Sequence, residues 1–394
     1  SKNGLSKIDQ NQNKFNYLPL DNKQREVTDL LVTDSTLWLG TNKGLTEYDF
    51  KAGTTTLFKH SANLGSIGSD QVRKIYRDEA GKIWVLTEFG FDEFDAKSQT
   101  FRHHYHHSAL GSLFNEDVFR DMIEIKPGVY GLATDAGFKI FDSKTGQFRH
   151  YFNRADDPSG ISNNHLNCLL KDRSNNIWIG TTGGGLNRFD PRTGKFKAYF
   201  SNDKIKGAIS DNTIQGLFLD SRGNIWICTP DGLNQYIKAT DSFVVYSKVD
   251  GFASNVFNSI VEDRNGNLWI TTEKGISQFN PATRAVRNYD DADGAFVNSA
   301  ICCDKSCSIY LAGDKGLEFF DPLKMKRNRE IPPVFLSDFQ IFNKSIDVTA
   351  SGPLKENLNS AEKIVLNYRQ SVFSIEFVAL NYTLPEKNQY AYML

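Results

Sequence analysis

Four of the seven histidines of this chain stand together at His103-His104-Tyr105-His106-His107, the densest cluster of titratable side chains in the sequence. On a strand, His103 and His107 share one face with Phe101 and Tyr105 while His104 and His106 share the other, a spacing that offers paired imidazoles to a metal. No carboxylate or cysteine completes such a ligand set, and the segment aligns with the outermost strand of a repeating unit, as Phe148-Arg149-His150-Tyr151 does. A solvated edge strand and no bound metal are therefore expected. Five cysteines, an odd number, leave at least one without an intrachain partner. Cys168 and Cys228 fall on strand positions and read as small buried hydrophobes. Cys302, Cys303 and Cys307 flank a turn, where Cys303 and Cys307, or Cys302 and Cys307, are spaced to bridge the hairpin in an oxidising compartment. Thr181-Thr182-Gly183-Gly184-Gly185 is rich in glycine but opens no helix and lacks the Lys-Ser/Thr pair of a phosphate loop. No cofactor is expected, and no nucleophile, base and metal ligands converge in the sequence as an enzyme would require.

These residues are placed by a repeat. Text reading apolar-Trp-apolar-x-Thr, then Gly-apolar, then an aromatic and an acid, recurs at Trp38, Trp84, Trp178, Trp226 and Trp269, which are all five tryptophans of the chain. Degenerate copies at Gly131-Leu132-Ala133-Thr134 and Tyr310-Leu311-Ala312-Gly313 raise the count to seven. The marker glycines Gly44, Gly90, Gly137, Gly185, Gly232, Gly275 and Gly316 lie 46, 47, 48, 47, 43 and 41 residues apart. That is the length of a β-propeller blade. Within a unit four short strand signals recur, as in Asn167 to Lys171, Ile177 to Thr181, Gly185 to Phe189 and Phe196 to Phe200. Asp-x-x-Gly-Asn-apolar-Trp, at Asp220 to Trp226 and Asp263 to Trp269, reads as the first hairpin: Asp and Asn close the turn and Gly supplies positive φ. The tryptophans are expected to pack between blades. These hairpins superficially resemble the Asp-box of sialidases, but their spacing differs and turn chemistry accounts for them.

Composition agrees with an all-β globular chain of 394 residues with 39% apolar residues and a net charge of 46 minus 47, or -1. A charge balance this even provides no general basic surface for nucleic acid. The longest apolar stretches, such as Phe377-Val378-Ala379-Leu380, fall far short of the roughly 20 residues a bilayer demands, and Ser1 opens no signal peptide. The chain reads as a soluble piece of a longer protein. Its organisation is expected to be a half-repeat at residues 1–20, a seven-bladed propeller of four-stranded blades at 21–323, a basic linker at 324–330 and a second domain at 331–394. The half-repeat, with Gly4-Leu5-Ser6 and Phe15-Asn16-Tyr17, either closes the ring against the last blade or ends a preceding propeller. Val334 to Phe342, Lys363 to Asn367 and Ser371 to Leu380 read as strands of an Ig-like β-sandwich, incomplete because 64 residues remain where about 100 are needed.

The unit Asn176-Ile177-Trp178-Ile179-Gly180-Thr181 followed by Gly185-Leu186-Asn187-Arg188-Phe189-Asp190 closely resembles the two-component regulator propeller repeat. The stretch from Ser371 to Tyr382, with Pro385-Glu386-Lys387-Asn388-Gln389-Tyr390-Ala391-Tyr392, resembles the start of the triple-tyrosine domain that follows such propellers. The pairing is typical of periplasmic sensor regions of hybrid two-component systems in Bacteroides-type bacteria. The resemblance implies a non-catalytic sensor that binds an oligosaccharide and signals through a membrane helix outside this chain to a histidine kinase controlling glycan-utilisation genes. It also implies a homodimer built mainly through the triple-tyrosine domain, so that this piece alone is expected to be monomeric or weakly associated. Family members commonly carry two propellers, and only seven repeats occur here.

In a propeller the loops joining strands two and three share one face with those joining successive blades. The tips Asn42-Lys43, Glu88-Phe89, Asp135-Ala136, Thr182-Gly183-Gly184, Pro230-Asp231, Glu273-Lys274 and Asp314-Lys315, with His165, Asn212 and Asn255 from the inter-blade loops, offer the donors and acceptors a hydroxyl-rich ligand needs. The candidate ligand residues are therefore Asn42, Lys43, Glu88, Phe89, Asp135, His165, Asn212, Asp231, Glu273, Lys274, Asp314 and Lys315. Two rivals remain: a propeller lyase or glycosidase using carboxylates among Glu88, Asp135, Asp231 and Glu273, and a protein-interaction platform.

Overall fold

The computed structural model describes residues 15–18, 27–104, 118–157, 159–293, 295, 300–313, 316–325, 333–349 and 351–379. One unit runs from Asn13 to Met325, and its strands form seven four-stranded antiparallel sheets. The inner strands of these blades are Val27–Val32, Val72–Arg77, Phe119–Lys126, Leu166–Lys171, Gly216–Leu219, Phe257–Glu262 and Ala300–Cys303, numbered here as blades 1 to 7. Each inner strand touches the next around the ring, and that of blade 7 touches that of blade 1. Blade 4 shows the pattern in full, with Leu166–Lys171, Ile177–Thr181, Leu186–Asp190 and Lys195–Tyr199 pairing in sequence order.

The hairpin chemistry read from the sequence is the chemistry found. Asp220 Oδ1 accepts the backbone N–H groups of Arg222 and Asn224 at 3.0 and 2.7 Å, while Oδ2 accepts Asn224 Nδ2 at 2.8 Å and the indole N–H of Trp226 at 3.0 Å. Gly223 turns the chain with φ 88°. Asp78, Asp172 and Asp263 hold Trp84, Trp178 and Trp269 by the same indole bond, at 3.1, 3.0 and 2.9 Å. Each tryptophan is at most 1% exposed and lies against an aromatic ring of the following blade: Trp38 on Phe94, Trp84 on Tyr130, Trp178 on Tyr236, Trp226 on Phe279 and Trp269 on Phe320. Burial of such rings is the main apolar gain of the fold, at about 25 cal/mol per Å².

Asn16–Leu18 supplies the fourth strand of blade 7, pairing antiparallel with Gly316–Phe320 so that Asn16 faces Phe319 and Leu18 faces Leu317. Phe15, 1% exposed, packs edge-on against Phe320 at 4.9 Å. The described end of the half-repeat therefore occupies the ring-closing place; Gly4-Leu5-Ser6 lies outside the described residues. The second unit contains one antiparallel sheet in the order Lys344–Ser345, Val334–Ile341, Phe373–Ala379. Lys363 to Asn367, expected as a strand, pairs with nothing and is not one. Its apolar residues, Ile364-Val365-Leu366, are consecutive and so lack the alternation of a half-buried strand.

Two outcomes follow for stability. Asp220→Ala strips four hydrogen bonds from a buried carboxylate site and should cost about 3 kcal/mol in urea unfolding. Asp241 staples blade 5 to blade 4. Partial burial works against its ionisation, yet Lys197 Nζ, the Tyr236 hydroxyl at 2.6 Å and the Tyr199 hydroxyl at 2.7 Å donate to it and bring its pKa down to about 2. A carboxyl lowered in the folded state stabilises above its unfolded pKa of about 4, and that contribution is lost as pH falls through the folded value. Asp241→Asn should therefore be less stable than the parent at pH 7, with the difference shrinking between pH 4 and about 2.

Candidate functional site

Four antiparallel strands per blade bring the hairpins between strands two and three, and the crossings to the next blade, to one side of the ring. The hairpins are rigid. Thr41, Thr87, Thr134, Thr181, Thr229 and Thr272 each donate a hydroxyl to the carbonyl of the marker glycine beyond the tip, at 2.7 to 3.2 Å. The marker glycine is required at this point. Gly185 has φ 75°, and a Cβ there would lie 2.2 Å from the Tyr199 carbonyl oxygen. Its N–H donates to the Asn212 carbonyl at 2.7 Å, as Gly44 donates to Asp70 and Gly137 to Asn164.

Asn42, Lys43, Phe89, His165, Asp231, Glu273 and Lys274 are exposed on this side, Glu88 and Asp135 are half-buried, and Asp314 and Lys315 lie outside the described residues. Several polar members serve the fold. Asn212 Oδ1 accepts the Ser201 N–H at 2.8 Å and so clamps its own loop, as Asp70 does for His60 and Asn164 for Asn153. Asp135 is held by Arg120 through two hydrogen bonds of 3.0 and 2.9 Å. Glu273 accepts from Ser254 at 2.9 Å, and Asp231 from Asn255 Nδ2 at 3.3 Å. The four carboxylates weighed as catalytic groups thus sit on four different blades, three of them with separate partners.

The histidine segment differs from expectation. His103 Nδ1 lies 2.7 Å from Asp92 Oδ1, and the His104 ring stacks on Phe91 at 5.4 Å and packs against Trp84 and Phe141. These two are not solvated edge residues, because Asp92 of the same blade holds His103 and Phe141 of blade 3 covers His104; Tyr105, His106 and His107 lie outside the described residues. The described residues hold no group of three metal-ligating side chains. Cys302, Cys303 and Cys307, of which Cys303 and Cys307, or Cys302 and Cys307, are spaced to bridge the hairpin, are free, as are the other two cysteines. Cys303 points into the packing of blade 7 while Cys307 sits at φ 60° in the turn itself. Burial raises the Cys303 thiol to about 11 and pushes Cys228 and Cys168 further up, so these sulfurs stay protonated, as small hydrophobes do.

What the sequence did not disclose is the axis. Inner strands of five blades carry a bulge one residue after their first apolar side chain, and the next residue turns toward the centre. Lys74 of blade 2 there bonds Asp29 of blade 1 at 3.2 Å and faces Asp121 of blade 3. Attraction to Asp29 outweighs burial and holds the Lys74 ammonium above its ordinary range, whereas burial pushes Asp121 up. The two acids also reach forward: Asp29 Oδ2 accepts the Ile75 N–H at 2.8 Å and Asp121 Oδ2 the Leu169 N–H at 2.7 Å. The Lys74 side chain is 37% accessible although it stands within the ring, so the axial channel has room for water beside it.

Residues 160–183, 208–231 and 251–274 match the family profile of the two component regulator propeller. The matched stretches fall on blades 4, 5 and 6. Over 88 residues, 22% of this chain and 6% of the relative, the chain is 32% identical to histidine kinase P4 of Formosa agariphila. Its fold is similar to the extracellular domain of the proposed hybrid two component system BT3049 of B. thetaiotaomicron, with TM-score 0.69 and 22% identity, covering 94% of this chain and 49% of that one. Virginiamycin B lyase of Staphylococcus aureus shares the fold at TM-score 0.60 and 12% identity, over 78% of this chain and 98% of that one. The chain therefore spans about half of the BT3049 domain and a small part of the kinase. For this propeller, Asn212→Ala should lower stability by about 1 kcal/mol in chemical denaturation, as expected for loss of one loop clamp.

Proposed function

We propose that this propeller is the ligand-detecting part of the periplasmic region of a hybrid two-component histidine kinase, that its ligand is an oligosaccharide, and that the response regulates glycan-utilisation genes. The observation that carries this reading is the combination of regulator repeats with a fold similar, over 94% of the chain, to the extracellular domain of a hybrid two component system. The side of the ring holding the tips supports it further. That side presents exposed polar groups on rigid hairpins, and preorganised donors and acceptors bind hydroxyl-rich ligands at low entropic cost. In this reading the chain senses without turnover, and the complete receptor dimerises through the domain that begins in the second unit.

The test is calorimetry of the purified chain against a panel of oligosaccharides, with chromatography of each ligand afterwards. Saturable binding with the ligand recovered intact is expected, and light scattering should show a monomer. Cleavage of a bound oligosaccharide that is abolished by Glu88→Gln would replace the sensor reading with an enzyme.

A further inference from the structure

Blades 2 and 3 carry the same two groups at the same two places, and only one pair is closed. In blade 3 Arg120, the bulge residue of the inner strand, is clamped by the tip acid Asp135. Blade 2 repeats the arrangement with Arg73 at the bulge and Glu88 at the tip; the pairings of Lys74 with Leu86 and of Asp121 with Ala133 fix the equivalence. No hydrogen bond or ion pair joins Arg73 to Glu88, and Arg73 Nε is buried without an acceptor. Leaving such a donor unmet costs free energy comparable to a lost hydrogen bond, more for a charged group. Around the ring, at the matching bulge position of blade 5, the Gln215 side-chain oxygen is likewise buried without a donor. Arg73 immediately precedes Lys74 in the axial channel, at the end of the strand nearest the tips. Beside it on the same hairpin as Glu88, Phe89 is 55% exposed and offers a ring face for stacking.

We infer that Arg73 is the docking residue for an anionic group of the sugar ligand, a carboxylate or a sulfate, at the mouth of the axial channel. Gln215 accepts a ligand hydroxyl in the same mouth and Phe89 stacks against a sugar ring. A guanidinium offers a planar fork of donors that matches such anions, which a neutral sugar does not use. The internal comparison makes the assignment specific: the fold closes this pair in blade 3 and leaves it open in blade 2. The inference rests on the oligosaccharide-sensing reading above.

Calorimetry with oligogalacturonates and alginate oligomers for the carboxylate, carrageenan-derived oligomers for the sulfate and xylo-oligomers as the neutral arm tests it. Binding of an acidic oligomer is expected, weakening as salt is raised. Arg73→Ala should weaken it at least about tenfold, with Arg73→Lys recovering part of the loss. The thermal midpoint of Arg73→Ala should not fall below the parent's, because the side chain has no partner in the fold to lose and its removal relieves a buried unmet donor. A neutral oligomer bound equally by parent and Arg73→Ala overturns the inference and leaves the sensor reading standing. Failure of every oligomer to bind overturns both.

Discussion

One large aromatic wedge in six of the seven blades sets the geometry of the ring. An indole buried between two twisted sheets fixes their separation and angle, but its N–H needs an acceptor there. The acid six residues earlier supplies it and also closes the hairpin that presents the tryptophan, so turn and wedge are one device in Asp78, Asp172, Asp220 and Asp263. Blade 1 shows what happens otherwise. Val32 stands where the acid would be, and the Trp38 indole N–H is buried without a partner. In blade 7 a tyrosine replaces the tryptophan, and its hydroxyl lies 3.5 Å from Asp304, the acid of its own hairpin. In blade 3 Gly131 takes the place of the tryptophan, and Tyr130 beside it packs on Trp84 and donates to Asp78 of blade 2, at 2.8 Å.

The same economy governs the opposite ends of the strands. A threonine hydroxyl and a glycine at positive φ fix six of the seven tips, and the next inter-blade loop closes over that glycine through a backbone carbonyl in blades 1, 3 and 4. An Asp or Asn in the loop then binds the amide at its own start. Tip and loop are mutually locked, so the polar face is set before any ligand arrives, and fewer degrees of freedom are lost on binding.

Much of this was legible in the sequence because it repeats. The five tryptophans, the seven marker glycines and the Asp-x-x-Gly turns each state one local rule several times, and the count of blades follows from them. Less legible were residues whose role depends on a neighbouring blade. Asn212 reads as a free polar tip because its partner is a main-chain N–H, that of Ser201 eleven residues earlier across the inter-blade loop, which no side-chain motif announces. His104 reads as a solvated edge residue because Phe141 of blade 3, which covers it, lies some 40 residues away in sequence. Cys303 and Cys307 lie close in sequence, but one side chain belongs to the blade packing and the other to the turn.

The axis was hidden for a different reason. In an alternating strand Arg73 and Lys74 would point to opposite faces, one buried and one wet. The bulge cancels that alternation at one residue and turns consecutive charged side chains toward the centre of the ring. Once the bulge is known, the repeats align by register instead of by residue type, and Thr28, Arg73, Arg120, Asn167, Gln215 and Asn258 become one set. Some members are absorbed by the fold: Thr28 bonds the Val72 carbonyl, Asn167 the Ile214 carbonyl and Arg120 the tip acid of its own blade. Such a set separates structural from spare chemistry within a single chain, because each satisfied member shows what the fold itself requires at that position. Arg73 and Gln215 keep the same place in the ring while a polar atom of each goes unused by it.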